Sequence, residues 1–381
     1  MAEKMKAVVK TKPGLGAELL DVPIPKIADD EVLVKVRATS ICGTDVHIYK
    51  WDDWSAKRIG AKALPQILGH EVAGEVVDKG KYVKKIYVGD YISAETHIPY
   101  PGDLQALLGQ LNLGERMKIF GVDRDGVFAE YVAVPEVVCW VNDKSIPPEY
   151  ATVQEPLGNA VYAVLGEDND VAGKSMVILG DGPVGLFATA VARAVGVTNI
   201  FLVGLSAYCL EIGRKLGADH ILSIENKEID RIEYVKDHTG GYGADIVLEM
   251  AGVPQSIQDG FKMLRKGGRF TAFGVLSEPQ ALIDYTDGIV FKGATIYGIS
   301  GRKMFDTWYR VRNLLASKRL DISPVITHEM ALEDFKLGFD KMLEFPRVAA
   351  KAVLFPDKVE LEAALKRKEA LRSQSIRMRS A

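Results

Sequence analysis

The sequence predicts an α/β protein of two domains, a mostly antiparallel, barrel-like β domain and a doubly wound parallel-sheet domain. Three observations carry this. The 381 residues exceed what one ordinary core organises. Up to about residue 138, short runs of alternating apolar residues are broken by Gly and Pro, which suits antiparallel strands. After Pro156 strands alternate with helical stretches, which implies right-handed βαβ units and a sheet covered on both faces.

Taken in order, residues 1–156 contain the β-rich runs 7–9, 31–36, 72–77, 91–93 and 128–134 and are expected to form the barrel-like domain. Residues 157–298 are expected to form the parallel-sheet domain, with strands at 175–179, 200–203, 221–224, 245–249 and 269–273 and helices at 183–195 and 207–216. Residues 299–356 carry helical runs at 306–316 and 332–342, an extended run at 325–327 and a closing strand at 352–354. They are expected to return to the first domain. Residues 357–381 read as a separate charged tail, helical over 362–373 and rich in Lys and Arg: a solvated terminal helix that frays, or an arm for an anionic surface.

A net charge of -3 with mixed signs gives no electrostatic footprint for nucleic acid or an anionic membrane. No apolar run approaches the ~18 residues of a spanning helix, and the first residues lack a signal-peptide core. Only Cys42, Cys139 and Cys209 are present, so a disulfide framework is not expected and a reducing, cytoplasmic setting is.

The chemistry is concentrated in Cys42-Gly-Thr-Asp-Val-His47, Gly69-His-Glu71 and Gln154-Glu-Pro156. A thiolate, an imidazole and carboxylates are what a catalytic zinc takes, with one position left open. Cys42, His70 and Glu155 are the expected ligands, with Glu71 near enough in sequence to enter or exchange. Asp45 is the candidate to hold the second imidazole nitrogen. Taken singly, Cys42 is as well explained as a small buried hydrophobe and His70 as a core histidine. Gly43 and Gly69 beside them, where close backbone approach is needed, and the neighbouring acids favour the metal. A catalytic zinc that binds an alcohol oxygen stabilises its alkoxide, and the released proton must then leave the site. Thr44 can accept and donate through one hydroxyl and His47 titrates near neutrality, so a relay from the alcohol through Thr44 and a cofactor ribose to His47 is expected. His97 is a further catalytic candidate if it faces the site rather than a surface loop.

The run 175–179 leads into Gly180-Asp-Gly182-Pro183-Val184-Gly185 and an Ala/Val-rich helix, which supplies the strand, turn and helix of a Rossmann dinucleotide site. Gly180 makes the turn, Gly182 admits the pyrophosphate and Gly185 lets the helix pack on the strand. The next strand ends at Gly204, where a carboxylate for a free 2′-hydroxyl is expected. NADP is therefore permitted, with Ser206 and Tyr208 as contacts, but Arg214 or Lys215 would have to reach a 2′-phosphate. NAD and NADP both stay open.

Together these residues resemble the zinc-dependent medium-chain dehydrogenase/reductase superfamily over all but the last two dozen residues. Within it the runs Ile41-Cys-Gly-Thr-Asp-Val-His-Ile-Tyr-Lys-Trp-Asp-Asp-Trp54, Gly69-His-Glu-Val-Ala-Gly-Glu75, Glu95-Thr-His97, Ile119-Phe-Gly-Val-Asp123, Gln154-Glu-Pro-Leu-Gly-Asn159 and Gly301-Arg-Lys-Met-Phe-Asp-Thr-Trp-Tyr309 resemble the L-threonine 3-dehydrogenase family. Arg302, in the last of them, joins the cofactor-binding candidates. The resemblance implies a GroES-like catalytic domain, hydride transfer from a secondary alcohol such as L-threonine to a nicotinamide, and a homo-oligomer, tetramer or dimer. It also implies a second, structural zinc on four cysteines, but the matching positions hold Tyr100, Asp103, Ala106 and Gly114. One catalytic zinc and no structural one are therefore expected, with the lobe held by apolar contacts from Leu104, Leu107, Leu108, Leu111 and Leu113. A polyol or sugar-acid dehydrogenase of the same superfamily, and a nucleotide-binding redox sensor without catalysis, are the competing readings.

Overall fold

The computed structural model describes residues 3–276 and 280–380, with side chains described to residue 373. The chain forms two compact units. One comprises residues up to 155 with 326–344 and 351 onward; the other comprises 156–325 and 345–350.

The chain opens with β1 (Lys4–Lys10), β2 (Glu18–Pro23) and β3 (Glu31–Ser40), then α1 (Gly43–Lys50) and α2 (Asp53–Arg58). β4 (Gln66–Ile67), β5 (Glu71–Lys79), β6 (Tyr91–Ala94) and β7 (His97–Ile98) lead to the short α3 (Leu104–Leu107). β8 (Lys118–Ile119), β9 (Tyr131–Pro135), β10 (Cys139–Val141) and α4 (Pro148–Thr152) follow, and α5 (Gln154–Leu165) begins at the boundary.

In the second unit β11 (Ser175–Leu179), α6 (Pro183–Ala194), β12 (Asn199–Gly204), α7 (Ala207–Lys215), β13 (His220–Ser223) and α8 (Arg231–Asp237) alternate. They continue as β14 (Ala244–Glu249), α9 (Pro254–Met263), β15 (Leu264–Ala272), β16 (Thr295–Gly298) and α10 (Asp306–Ala316). The first unit is completed by β17 (Ile326–Ala331), α11 (Phe335–Leu343), β18 (Lys351–Phe355) and α12 (Lys358–Ser380).

The first unit's main sheet runs β10-β6-β5-β3-β18-β17, with β9 also on β3. Most of its pairs are antiparallel, β17 with β18 being parallel. β18 lies antiparallel to β3, with Val353 opposite Ser40, so the closing strand runs beside the one that leads into Cys42. The second unit's sheet is parallel in the order β13-β12-β11-β14-β15-β16, which is the doubly wound order expected. Met176, Val177, Ile178 and Leu179 of β11 are all buried, as a strand covered on both faces requires.

Three expectations about organisation need correction. Residues 299–325, with α10, cluster with the parallel sheet, so the return begins at residue 326 rather than 299. The tail is no separate segment: Ala364 is buried and Arg367 makes a two-pronged contact at 2.8 and 2.7 Å with the buried carboxylate of Glu149. Lys368 adds a bond to the Thr327 carbonyl and an ion pair with Glu329.

The lobe at 99–117 is not held by its leucines. Leu104, Leu107, Leu108 and Leu113 are 44–75% exposed. Instead Arg116 stacks on the Tyr100 ring at 3.8 Å, donates through Nε to Asp103 at 2.7 Å and through Nη2 to the Gly102 carbonyl. Asp103 also accepts the Arg116 amide, and these contacts hold its carboxyl below the ordinary range. A Cβ at Gly114 would lie 2.8 Å from Asp103 Oδ2, so Tyr100, Asp103 and Gly114 together form the seat of this clamp. Among the described residues no helix is long and apolar enough to cross a membrane.

Candidate active site

Cys42 caps the N-terminus of α1 in an extended conformation, and its amide donates to Asp45 Oδ2 at 2.8 Å. This local closure turns the chain out of β3 and leaves the thiol partly exposed. His70 follows Gly69, whose φ of +91° and whose Cβ position, 2.1 Å from the Phe128 ring, exclude other residues. Gly43 is different: nothing lies within 4 Å of its Cβ position, so it is no close-approach glycine. Glu71 opens β5 and is fully buried.

The ligand atoms of Cys42, His70 and Glu71 lie within 4.8 Å of one another. Glu155, expected in this set, does not join it, although with burial it pushes the Glu71 carboxyl up. Asp45 Oδ1 lies 3.3 Å from His70 Nδ1 with both side chains buried. The two atoms meet as a charge pair rather than an aligned hydrogen bond, and neither atom has a hydrogen-bond partner among the described residues. Burial disfavours the His70 imidazolium, yet Asp45 and Cys42 outweigh it and hold the ring's pKa well above its ordinary value. A partly exposed thiol beside a buried imidazole and carboxylate, with under-satisfied polar atoms, fits a divalent cation of zinc's preference.

Two residues not anticipated from sequence hold Glu71. Lys351 Nζ donates to Glu71 Oε1 at 2.6 Å and to the Ile41 carbonyl at 3.0 Å, and Ser40 Oγ donates to Oε2. Burial disfavours the Lys351 ammonium, but Glu71 and Cys42 keep it charged. The available signal was a lone Lys inside the apolar strand Ala-Ala-Lys351-Ala-Val-Leu-Phe.

Thr44, half-buried in the first turn of α1, makes no hydrogen bond through its hydroxyl among the described residues. His47 is exposed on the same helix and binds Asp52 through Nδ1. His97 Nδ1 lies 3.3 Å from the buried Glu95, and the intervening Thr96 donates to the His70 carbonyl at 3.0 Å, so that strand supports the His70 backbone.

In the second unit Gly180 follows β11, Gly182 caps α6, and Pro183 and Val184 open the helix. A Cβ on Gly185 would sit 1.9 Å from the Gly180 carbonyl, so the helix can close onto the turn only with glycine there. A helix N-terminus of this kind leaves first-turn backbone amides without intrahelical partners, which suits a pyrophosphate.

Ser206 corrects the expectation of a cofactor contact: it is 2% exposed, caps α7 by accepting from Cys209 N, and donates to the Arg347 carbonyl. Arg214 and Lys215 stand in the last turn of α7, about 12 Å along the axis from Ser206, beside Glu211. Tyr208 is 44% exposed. Arg302 is buried and donates to Asn159 of α5, over a space that Gly158 leaves open.

The comparisons agree with this arrangement. A zinc-binding dehydrogenase family matches residues 183–317, and an alcohol dehydrogenase GroES-like domain matches residues 28–143. L-threonine 3-dehydrogenase of Bacillus velezensis is 47% identical over 93% of this chain and 100% of its own; that of Pyrococcus horikoshii is 48% identical over 90% and 95%. This chain belongs to the zinc-binding dehydrogenase family.

Among solved structures, 2R,3R-butanediol dehydrogenase from Bacillus subtilis superposes with a TM-score of 0.83 at 27% identity, covering 93% of this chain and 100% of that one. A Sinorhizobium meliloti protein described as a zinc-binding dehydrogenase and bound to NADP gives the same score and identity, covering 93% and 99%. As a zinc-binding dehydrogenase the chain is a zinc-dependent alcohol oxidoreductase using NAD or NADP and a small-molecule alcohol.

Proposed function

We propose that the chain oxidises the β-hydroxyl of L-threonine, as a cytoplasmic homo-oligomer with one catalytic zinc per chain. The clustered Cys42, His70 and Glu71 carry the chemical part of this reading, and the L-threonine 3-dehydrogenase relatives support the substrate.

Cys42 and His70 would hold the metal, with Glu155 and Glu71 as the carboxylates available to complete the set. Zinc supplies Lewis acidity that makes a bound hydroxyl acidic near neutral pH, and the nicotinamide supplies the hydride acceptor. Asp45 orients the His70 ring, and Lys351 with Ser40 fixes the Glu71 carboxylate. The Thr44 hydroxyl takes up the proton of the substrate hydroxyl, and the exposed His47, steadied by Asp52, passes it to solvent. Gly180, Gly182, Pro183, Val184 and Gly185 cradle the pyrophosphate. The Arg116 clamp supports the absence of a second, structural zinc.

For assembly, β16 pairs only with β15 among the described strands, and Ile296 on it with nearby Val290 and Phe291 is 43–66% exposed. An apolar edge of this kind is suited to a second copy of the chain.

Turnover of L-threonine and of 2R,3R-butanediol with each nucleotide, alongside elemental analysis, tests the proposal. Threonine oxidation with about one zinc per chain is expected. Diol oxidation without threonine oxidation overturns the substrate, and activity without zinc overturns the mechanism.

A further inference from the structure

The second strand of the parallel sheet ends in Gly204, without the carboxylate that usually receives the adenosine 2′-hydroxyl. The place is nonetheless filled. A Cβ built on Gly204 would lie 2.5 Å from Asp181 Cβ and Cγ and 2.7 Å from its Oδ2. Asp181, in the glycine turn, has therefore laid its side chain over the end of β12, and only glycine at 204 leaves room for it. The carboxylate is fixed there: Oδ2 accepts the amides of Leu205 at 3.0 Å and Ser206 at 2.7 Å. Two amides on one oxygen leave Oδ1 unengaged, and the side chain is only partly buried.

A cation stands a short way off. Arg347 Nη1 lies 3.2 Å from the Cβ position of Gly182, at the first turn of α6, and its carbonyl is pinned by Ser206 Oγ at 2.6 Å. Among the described residues the Arg347 guanidinium makes no ion pair, including none with Asp181. Nη1 is thus placed at Gly182, where a pyrophosphate would sit.

We infer that Asp181 is the residue that selects NAD over NADP, standing in for the acid missing from the end of β12, and that Arg347 binds the pyrophosphate of either nucleotide. This rests on the dehydrogenase reading above and decides which cofactor that site takes. A fixed carboxylate at the ribose end can accept a 2′-hydroxyl, and it repels a 2′-phosphate. The acid and the glycine have exchanged places between the two loops, with the charge kept at one point in space.

The test is fluorescence titration of the full-length protein with NADH and NADPH, beside threonine turnover. The wild type should bind NADH at least about tenfold more tightly than NADPH, as like-charge juxtaposition implies. Asp181→Asn keeps an oxygen for both amides, so the loop should hold while the ratio falls by about tenfold. The exchange Asp181→Gly with Gly204→Asp should restore the preference. Arg347→Gln should weaken both nucleotides alike. Equal or tighter NADPH binding by the wild type, or an unchanged ratio in Asp181→Asn, overturns the inference while leaving a protein that oxidises threonine intact as a dehydrogenase. Failure to bind either nucleotide overturns both.

Discussion

Lys351 Nζ and Glu71 Oε1 lie 2.6 Å apart with both side chains buried, so a fixed positive charge stands beside the thiol and imidazole of Cys42 and His70. It offsets a carboxylate that burial alone would expel as an ion. Lys351→Met removes the charge and strands Glu71, which should cost about 3–5 kcal/mol, read as a lower denaturant midpoint. Lys351→Arg should recover most of it. An unshifted midpoint in Lys351→Met would mean that Ser40 alone suffices for Glu71.

Asp45 faces His70 Nδ1, so its charge helps set which ring nitrogen is left for a metal. Asp45→Asn should weaken zinc binding about 10- to 100-fold. Because Asp45 and Cys42 hold the His70 pKa above its ordinary value, zinc must displace a proton. Affinity should therefore fall as pH drops, starting above the ordinary imidazole pKa of about 6.5. Competition with a chelator across that range measures both effects, and a pH-independent affinity would contradict the placement of His70.

The sheet order of the second unit was legible because its strands are short apolar runs set apart by helices of the expected period. Met176 to Leu179 and the helix opening at Pro183 are examples. β16 and the helices α8 and α9 lacked that signal: Thr295 and Ile296 are exposed, and α9 carries Gly260 against Phe270 where a larger residue would mark a core face. At the metal group the local motifs around Cys42 and His70 spoke for themselves. Lys351 did not, because it arrives from 280 positions away through strand pairing with β3. Asp181 and Gly204 were hidden for the same reason. An exchange of residues between two loops looks, along the chain, like the loss of one acid.

The lobe at 99–117 yields the next prediction. Arg116 stacks on Tyr100 and holds Asp103, while the lobe's leucines face solvent. Arg116→Ala should open this segment to limited proteolysis several-fold faster, as expected for a loop tip that has lost its tie, with the main unfolding transition little changed. Chelator should leave the wild-type lobe equally resistant. Chelator-induced cleavage between residues 99 and 117 would instead reveal a metal there.

His47 is exposed and bonds to Asp52 through Nδ1. Burial raises Asp52, but hydrogen bonds from His47 and Ser55 together outweigh it and depress its pKa. A depressed carboxyl contributes stability above its unfolded value of about 4, and loses it only as pH falls through the folded value. Near neutrality Asp52 is therefore ionised with or without His47, and any change in the pH profile belongs to the imidazole. His47→Asn should lower kcat by about tenfold or more around pH 7, where solvent hydroxide is scarce, and by less in alkali, where it can take the proton directly. Added free imidazole should restore part of the loss. If the profile of His47→Asn runs parallel to that of the wild type and imidazole does nothing, proton export does not pass through this side chain, and His47 serves only to cap the Asp52 turn.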